Sequence, residues 1–180
     1  MKKKLERTVD LPEGFTSEIK GNTIKLKGNS KETERDFDLG KVLVKQEGNK
    51  ITISCEKATR REAATIGTTQ AHLQNMIRGL SEGFTYKLEI CNVHFPMNVK
   101  AEGNKVTIKS YLGEKKDREA KIEDGSKVEI KGTEITVTSD DIEKAGQTAA
   151  NLEKATKLKG RDRRIFQDGI FITEKNGRKI

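Results

Sequence analysis

Tryptophan is absent from this 180-residue sequence, aromatic residues make up only 4%, and there are two cysteines, two histidines and two prolines. Each shortage excludes something. Hydrophobic residues are 32% of the chain, well below the roughly 45–50% of average globular domains, so two thin domains suit it better than one deep core. Cys55 and Cys91 are too few for a disulfide framework, and each falls in an apolar alternating run, where a reduced thiol acts as a small core residue. No run approaches about 18 apolar residues, so no membrane span is expected. Met1-Lys-Lys-Lys4 leads into no apolar stretch, so no secretory signal is expected either. The expected location is cytoplasmic.

What the sequence has in excess is positive charge, and its placement is uneven. The net charge is +8. Residues 154–180 carry nine basic side chains against three acidic ones, a surplus of six. Residues 1–7 add a surplus of three, which leaves residues 8–153 at −1. A neutral body with basic ends marks a local anion-binding surface, and nucleic acid is the commonest acidic partner.

The chain also repeats itself. Gly21-Asn-Thr-Ile-Lys-Leu-Lys27 resembles Gly103-Asn-Lys-Val-Thr-Ile-Lys109, and Gly48-Asn-Lys-Ile-Thr-Ile-Ser54 resembles Gly132-Thr-Glu-Ile-Thr-Val-Thr138, at offsets of 82 and 84 residues. In the first copy, Thr23–Lys27, Lys41–Gln46 and Lys50–Cys55 alternate as half-buried strands do. Gly-Asn pairs at 21–22, 28–29 and 48–49 are hairpin signals. Thr59 with Glu62 forms a capping box for a helix whose face carries Ile66, Leu73, Met76 and Ile77, with Gly79 as its left-handed stop. In the second copy, strands are expected at Tyr86–Cys91, Met97–Lys100, Val106–Lys109, Lys127–Lys131 and Glu134–Thr138. A helix from about Asp140 places Ile142, Ala145, Ala149 and Leu152 on one face and stops before Gly160. The expected fold class is α+β: two tandem duplicated domains, each a small antiparallel sheet packed against one main helix. Their expected bounds are 1–82 and 83–180, the second ending in a basic, anion-binding segment. Lys2–Lys4 and Lys175–Ile180 read as mobile ends.

Reactive chemistry is sparse. His72 falls on the first helix and His94 beside Phe95-Pro96, where both read as structural. Cys91 and His94 form a C-x-x-H half-site, yet that spacing on an extended run puts the side chains on opposite faces, and Cys55 and His72 sit on other elements. No metal site, cofactor or small-molecule substrate is expected. Gly113-Glu-Lys and Gly125-Ser-Lys lack the paired glycines of a phosphate loop. Asp140-Asp141 reads as a helix cap.

The basic tail is different. Leu158-Lys-Gly-Arg-Asp-Arg-Arg-Ile-Phe-Gln-Asp-Gly-Ile-Phe-Ile172 follows a helix stop, and Arg161, Arg163 and Arg164 carry planar donor forks suited to phosphate oxygens. Gly160 and Gly169 allow close backbone approach. Asp162 and Asp168 are expected to orient the arginines or cap turns. A second cluster, Leu112-Gly-Glu-Lys-Lys-Asp-Arg118, reads as a hairpin tip bearing Lys115, Lys116 and Arg118. Phe166 and Phe171 could stack on bases, but core packing is the expected role with so few aromatics available.

Four stretches, in this order and spacing, carry a family resemblance: His72-Leu-Gln-Asn-Met-Ile-Arg-Gly79 running into Gly83-Phe-Thr-Tyr-Lys87; Val93-His-Phe-Pro-Met-Asn-Val99; Tyr111-Leu-Gly-Glu-Lys115; and Asp162-Arg-Arg-Ile-Phe-Gln-Asp-Gly-Ile-Phe-Ile172. Over essentially its whole length the chain resembles the sixth large-subunit ribosomal protein of the universal set, in its archaeal and eukaryotic branch. The resemblance implies two duplicated α+β domains and a non-catalytic role binding large-subunit rRNA, mainly through the second domain, near the sarcin–ricin loop and translation-factor region. It implies contacts from Lys115, Lys116, Lys157, Lys159, Gly160, Arg161, Arg163 and Arg164, with neighbouring ribosomal proteins as further partners and translation factors nearby. Tyr111 stands where many members of that family have Phe. Arg60, Arg61 and Arg78 of the first domain are left open between RNA, protein neighbours and solvent. The rival expectations are a free-standing RNA-binding regulator and a metal-dependent enzyme built on Cys91, His94 and Asp168.

Overall fold

Strands β1 (Lys3–Asp10), β2 (Thr16–Lys20), β3 (Thr23–Gly28), β4 (Lys31–Asp36), β5 (Leu43–Glu47) and β6 (Lys50–Ala58) precede helix α1 (Arg60–Ser81) in a computed structural model that describes residues 3–28 and 31–180. They form two antiparallel three-stranded sheets, in the orders β1-β6-β5 and β2-β3-β4. The inward positions of the central strands are apolar: Ile24 and Leu26 on β3, Ile51 and Ile53 on β6, all fully buried. They meet Ile66, Leu73, Met76 and Leu80 of α1 in one core, each large side chain contributing about 1.5–3 kcal/mol by leaving water.

Helix α1 starts as its sequence requires. The Thr59 N–H donates to the Glu62 carboxylate at 2.8 Å, completing the capping box. The expected stop at Gly79 is not where the helix ends. Gly79 lies buried within α1, which continues through Leu80, itself 2% exposed, to Ser81. The burial of Leu80 holds the extra turn, and the left-handed residue is Gly83, at φ +74°.

The second half follows with β7 (Phe84–Cys91), β8 (Asn98–Glu102), β9 (Lys105–Lys109), a 3₁₀ turn at Tyr111–Gly113, β10 (Arg118–Lys121), β11 (Ser126–Lys131), β12 (Glu134–Ser139), helix α2 (Ile142–Ala155), β13 (Gly169–Lys175) and β14 (Arg178–Lys179). One sheet has the order β10-β9-β8 and the other β11-β12-β7-β13-β14, again antiparallel throughout. Asp141 caps α2 by accepting the Glu143 N–H at 2.9 Å. Ala145, Ala149 and Leu152 of α2 are fully buried, the last two in a core with Leu88, Val106, Ile108, Ile135 and Val137. Each half is therefore an α+β layer of antiparallel sheet with one helix, and the chain divides between Glu82 and Gly83 into two compact units.

Two expectations about the chain ends are corrected. Lys3 and Lys4 belong to β1, an outer strand whose lysines face solvent, and Lys2 lies outside the described residues. At the other end Lys175 closes β13 and pairs with Arg178 of β14, so the chain turns back as a short hairpin. Lysine-rich strands at a sheet edge carry no apolar alternation and so do not read as strands. The turn signal at Gly28-Asn29 falls partly outside the described residues.

Candidate nucleic-acid interface

Between Ala155, where α2 ends, and Gly169, where β13 begins, the chain makes an irregular loop whose two ends are fastened to one side chain. Tyr111 is 1% exposed, and its hydroxyl lies 2.6 Å from the carbonyl oxygen of Thr156 and 3.1 Å from that of Asp168. Thr156 adds a second fastening, its hydroxyl accepting the Ile170 N–H at 2.9 Å. A buried carbonyl left unpaired would cost about 1–3 kcal/mol, so the closed base of the loop depends on these bonds.

Asp168 secures the far end. Its carboxylate, 2% exposed as a residue, accepts the His94 N–H at 2.8 Å and lies 2.6 Å from His94 Nδ1. Burial by itself would push this carboxyl up, but the backbone amides of His94 and Phe95 and the His94 ring outweigh it and hold Asp168 below its ordinary value. Asp168 thus anchors the 92–96 segment: of the two roles expected for it, it caps that bend and does not orient an arginine. Asp162 does. It accepts the Arg164 backbone N–H at 2.9 Å and the Arg164 guanidinium at 2.8 Å, while the Ile165 and Phe166 N–H groups close a turn onto the Asp162 carbonyl.

On this frame Lys157, Lys159, Gly160, Arg161, Arg163 and Arg164 are all exposed. Gly160 sits at φ +69° with nothing near its missing side chain, a conformation glycine adopts without strain. The Arg161 guanidinium stacks 4.8 Å above the Phe166 ring, whose centroid lies 5.0 Å from that of His94. Among the described residues no ion pair engages Lys157, Lys159 or Arg163.

The second predicted cluster occupies the connection from β9 to β10, where Lys115 and Lys116 are exposed. Arg118 does not share that role. Its guanidinium lies 4.2 Å over the Tyr111 ring, bonds the Glu114 carboxylate at 2.8 Å, and donates to the carbonyls of Ala155 at 2.9 Å and Lys157 at 3.3 Å. Arg118 is turned inward because it has four partners there, and it ties the foot of one basic loop to the foot of the other. The Glu114 carboxyl is lowered chiefly by its bond to Arg118, with Arg161 and Lys159 close enough to add to the effect. Two clusters more than 40 positions apart in sequence therefore share one neighbourhood. Nothing in residue spacing signals the Tyr111–Arg118–Thr156 assembly, since its members meet only after folding.

The alternatives fare differently. Cys55 is buried, and burial pushes the half-buried Cys91 thiol up, away from a reactive thiolate. No group of three or more metal-ligating side chains occurs among the described residues, and no helix there is long and apolar enough to cross a membrane. In the first unit Arg60 and Arg61 are exposed at the start of α1, while Arg78 near its end pairs with Glu82 at 3.5 Å. Phe166 and Phe171 are both half-buried and neither belongs to the hydrophobic core, which corrects the expectation that they pack inside it.

The chain matches the family model described as ribosomal protein L6 over residues 11–83 and again over 95–169. It is similar to the large ribosomal subunit protein uL6 of Methanococcus vannielii, with 42% identity over 98% of this chain and 97% of the relative. It is also similar to the proteins of that name from Aeropyrum pernix, at 46% over 93% and 92%, and Sulfurisphaera tokodaii, at 44% over 95% and 92%. Two successive matches to one family model coincide with the two α+β halves, and near-full-length identity above 40% accompanies them: the chain belongs to the ribosomal protein L6 family.

Proposed function

We propose that the chain is a non-catalytic structural component of the large ribosomal subunit and binds large-subunit rRNA mainly through residues 83–180. In this reading the first domain, residues 1–82, serves as spacer or docking surface. The observation that carries the proposal is the fastened base of the 156–168 loop. It presents Lys157, Lys159, Arg161, Arg163 and Arg164 on a frame held by Tyr111, Arg118 and Asp168, beside Lys115 and Lys116.

A loop closed before it binds loses little conformational freedom on binding, so its cations meet phosphates at reduced entropic cost. Arginine forks and lysine ammonium groups at such a site release counterions from the RNA, which makes affinity fall steeply with salt. Backbone contacts of this kind position a protein and read RNA shape more than base order. The family resemblance supports a place near the sarcin–ricin loop and the translation-factor region, with ribosomal proteins as neighbours and the cytoplasm as location.

The test is charge reversal at two exposed positions. Arg163→Glu with Arg164→Glu is expected to weaken binding to deproteinised large-subunit rRNA by orders of magnitude and to flatten the dependence of affinity on salt, with the melting temperature little changed. Unaltered affinity and salt dependence would remove the assignment of this interface.

A further inference from the structure

Beside the basic loop the second unit has a cleft that charge alone does not use. It has a volume of about 370 Å³ and is lined by Cys91, Val93, Arg163, Phe166, Gln167 and Phe171. That size is at the lower end of the roughly 300–1,000 Å³ of small-molecule sites. Its chemistry is uneven in a telling way. Two aromatic rings form part of the wall although neither packs into the core, in a chain with only six phenylalanines. Val93, in the wall, is 68% exposed, and Ile165, next to Phe166, is 64% exposed. These apolar surfaces lie against Arg163 and, over Phe166, the Arg161 guanidinium.

An apolar peptide side chain entering here would strip water from Arg163 without giving it a partner, which is costly. A nucleotide satisfies both halves of the site. Its base offers a flat π-face to phenylalanine, and its phosphate offers oxygens to arginine. We propose that this cleft receives one unstacked base of the bound RNA, its face on Phe171 and its edge toward Phe166, with the Arg163 fork on the adjoining phosphate. The interface then selects an unpaired nucleotide, a bulge or loop, in addition to clamping helical backbone. This rests on the rRNA-binding reading above, and the base in the cleft is what it adds.

Ultraviolet irradiation of the full-length chain on large-subunit rRNA, followed by nuclease and trypsin digestion and mass spectrometry, tests it. A base against Phe166, Phe171 or Cys91 is expected to leave a nucleotide adduct on the peptide Ile165–Lys175 or on Leu88–Lys100. In parallel, Phe171→Leu, which keeps an apolar side chain but removes the ring, is expected to weaken rRNA binding about ten-fold, since one stacked base contributes about that much. The slope of affinity against salt should stay as in the unsubstituted chain. Adducts confined to other peptides, with Phe171→Leu binding normally while the Arg163/Arg164 reversal still abolishes binding, would overturn the cleft and leave the backbone clamp standing. Crosslinks from the cleft to a ribosomal protein would overturn it in favour of a protein occupant. Failure of the unsubstituted chain to bind rRNA at all would instead remove the parent reading. The adduct is read on the unsubstituted chain, so the test does not depend on how well the variant folds.

Discussion

The Tyr111 hydroxyl stands 2.6 Å from the carbonyl oxygen of Thr156, joining a 3₁₀ turn to the residue that caps the end of α2, 45 positions away. The same hydroxyl lies 3.1 Å from the Asp168 carbonyl, so one oxygen closes both ends of the basic loop. In Tyr111→Phe the ring and its contact with Arg118 remain, and the one hydroxyl proton shared between two buried carbonyls is lost. The expected cost is about 1–3 kcal/mol, with faster amide exchange concentrated in residues 156–170. A variant with unchanged melting and unchanged exchange there would show that the hydroxyl does not fasten the loop.

Arg118 makes a different kind of contribution, spread over Glu114, two carbonyls and an aromatic face. Arg118→Lys keeps the charge but cannot span those partners, because a single ammonium lacks the planar fork. It is expected to lower the melting temperature and weaken RNA binding together, although Arg118 is not among the outward-facing cations. If Lys substitutes without loss in either measurement, the planar fork is not what joins the two loops.

Acid should loosen the far end of the loop. Asp168 is held below its ordinary value in the folded chain, so the unfolded chain takes up its proton first as pH falls. Its contribution to stability is fully present above the unfolded value near 4 and disappears as pH drops through the lower folded value. Asp168→Asn should therefore be less stable at neutral pH and show a shallower loss of stability below pH about 4. Chemical unfolding at a series of pH values measures this; parallel curves for the two proteins would contradict it.

Gly160 offers a test free of contacts. At φ +69° with open space where a side chain would point, Gly160→Ala adds strain and nothing else, and is expected to cost about 1 kcal/mol. A gain in stability would mean that the loop readily adopts another backbone conformation.

How much of this was legible in the sequence depended on where each residue's partners lie. Strands β3, β6, β9 and β12 are readable because each places apolar residues on one face at a spacing of two, as in Ile24 with Leu26 or Ile135 with Val137. Strands β1 and β4 are not, since Lys3–Asp10 and Lys31–Asp36 are mostly polar outer strands held by the backbone of a neighbour. The exposed cations of the 157–164 segment were visible as charge. The side chains that fasten them, Tyr111, Arg118, Thr156 and Asp168, were not, because their pairing spans up to 74 positions and obeys no local period. Asp168, four positions from Arg164 in sequence, turns instead to His94, 74 residues earlier.

The central claim is that this chain is a stably bound component of the large ribosomal subunit, held by the basic loops of residues 83–180. Sedimentation of ribosomal subunits through high salt, with the chain followed in each fraction, tests it most directly. The unsubstituted chain is expected to travel with the large subunit, and the Arg163→Glu, Arg164→Glu form to remain near the top of the gradient. An unsubstituted chain that leaves the subunit under the same conditions, or that sediments with other RNA, would contradict the account and favour a free-standing RNA-binding regulator.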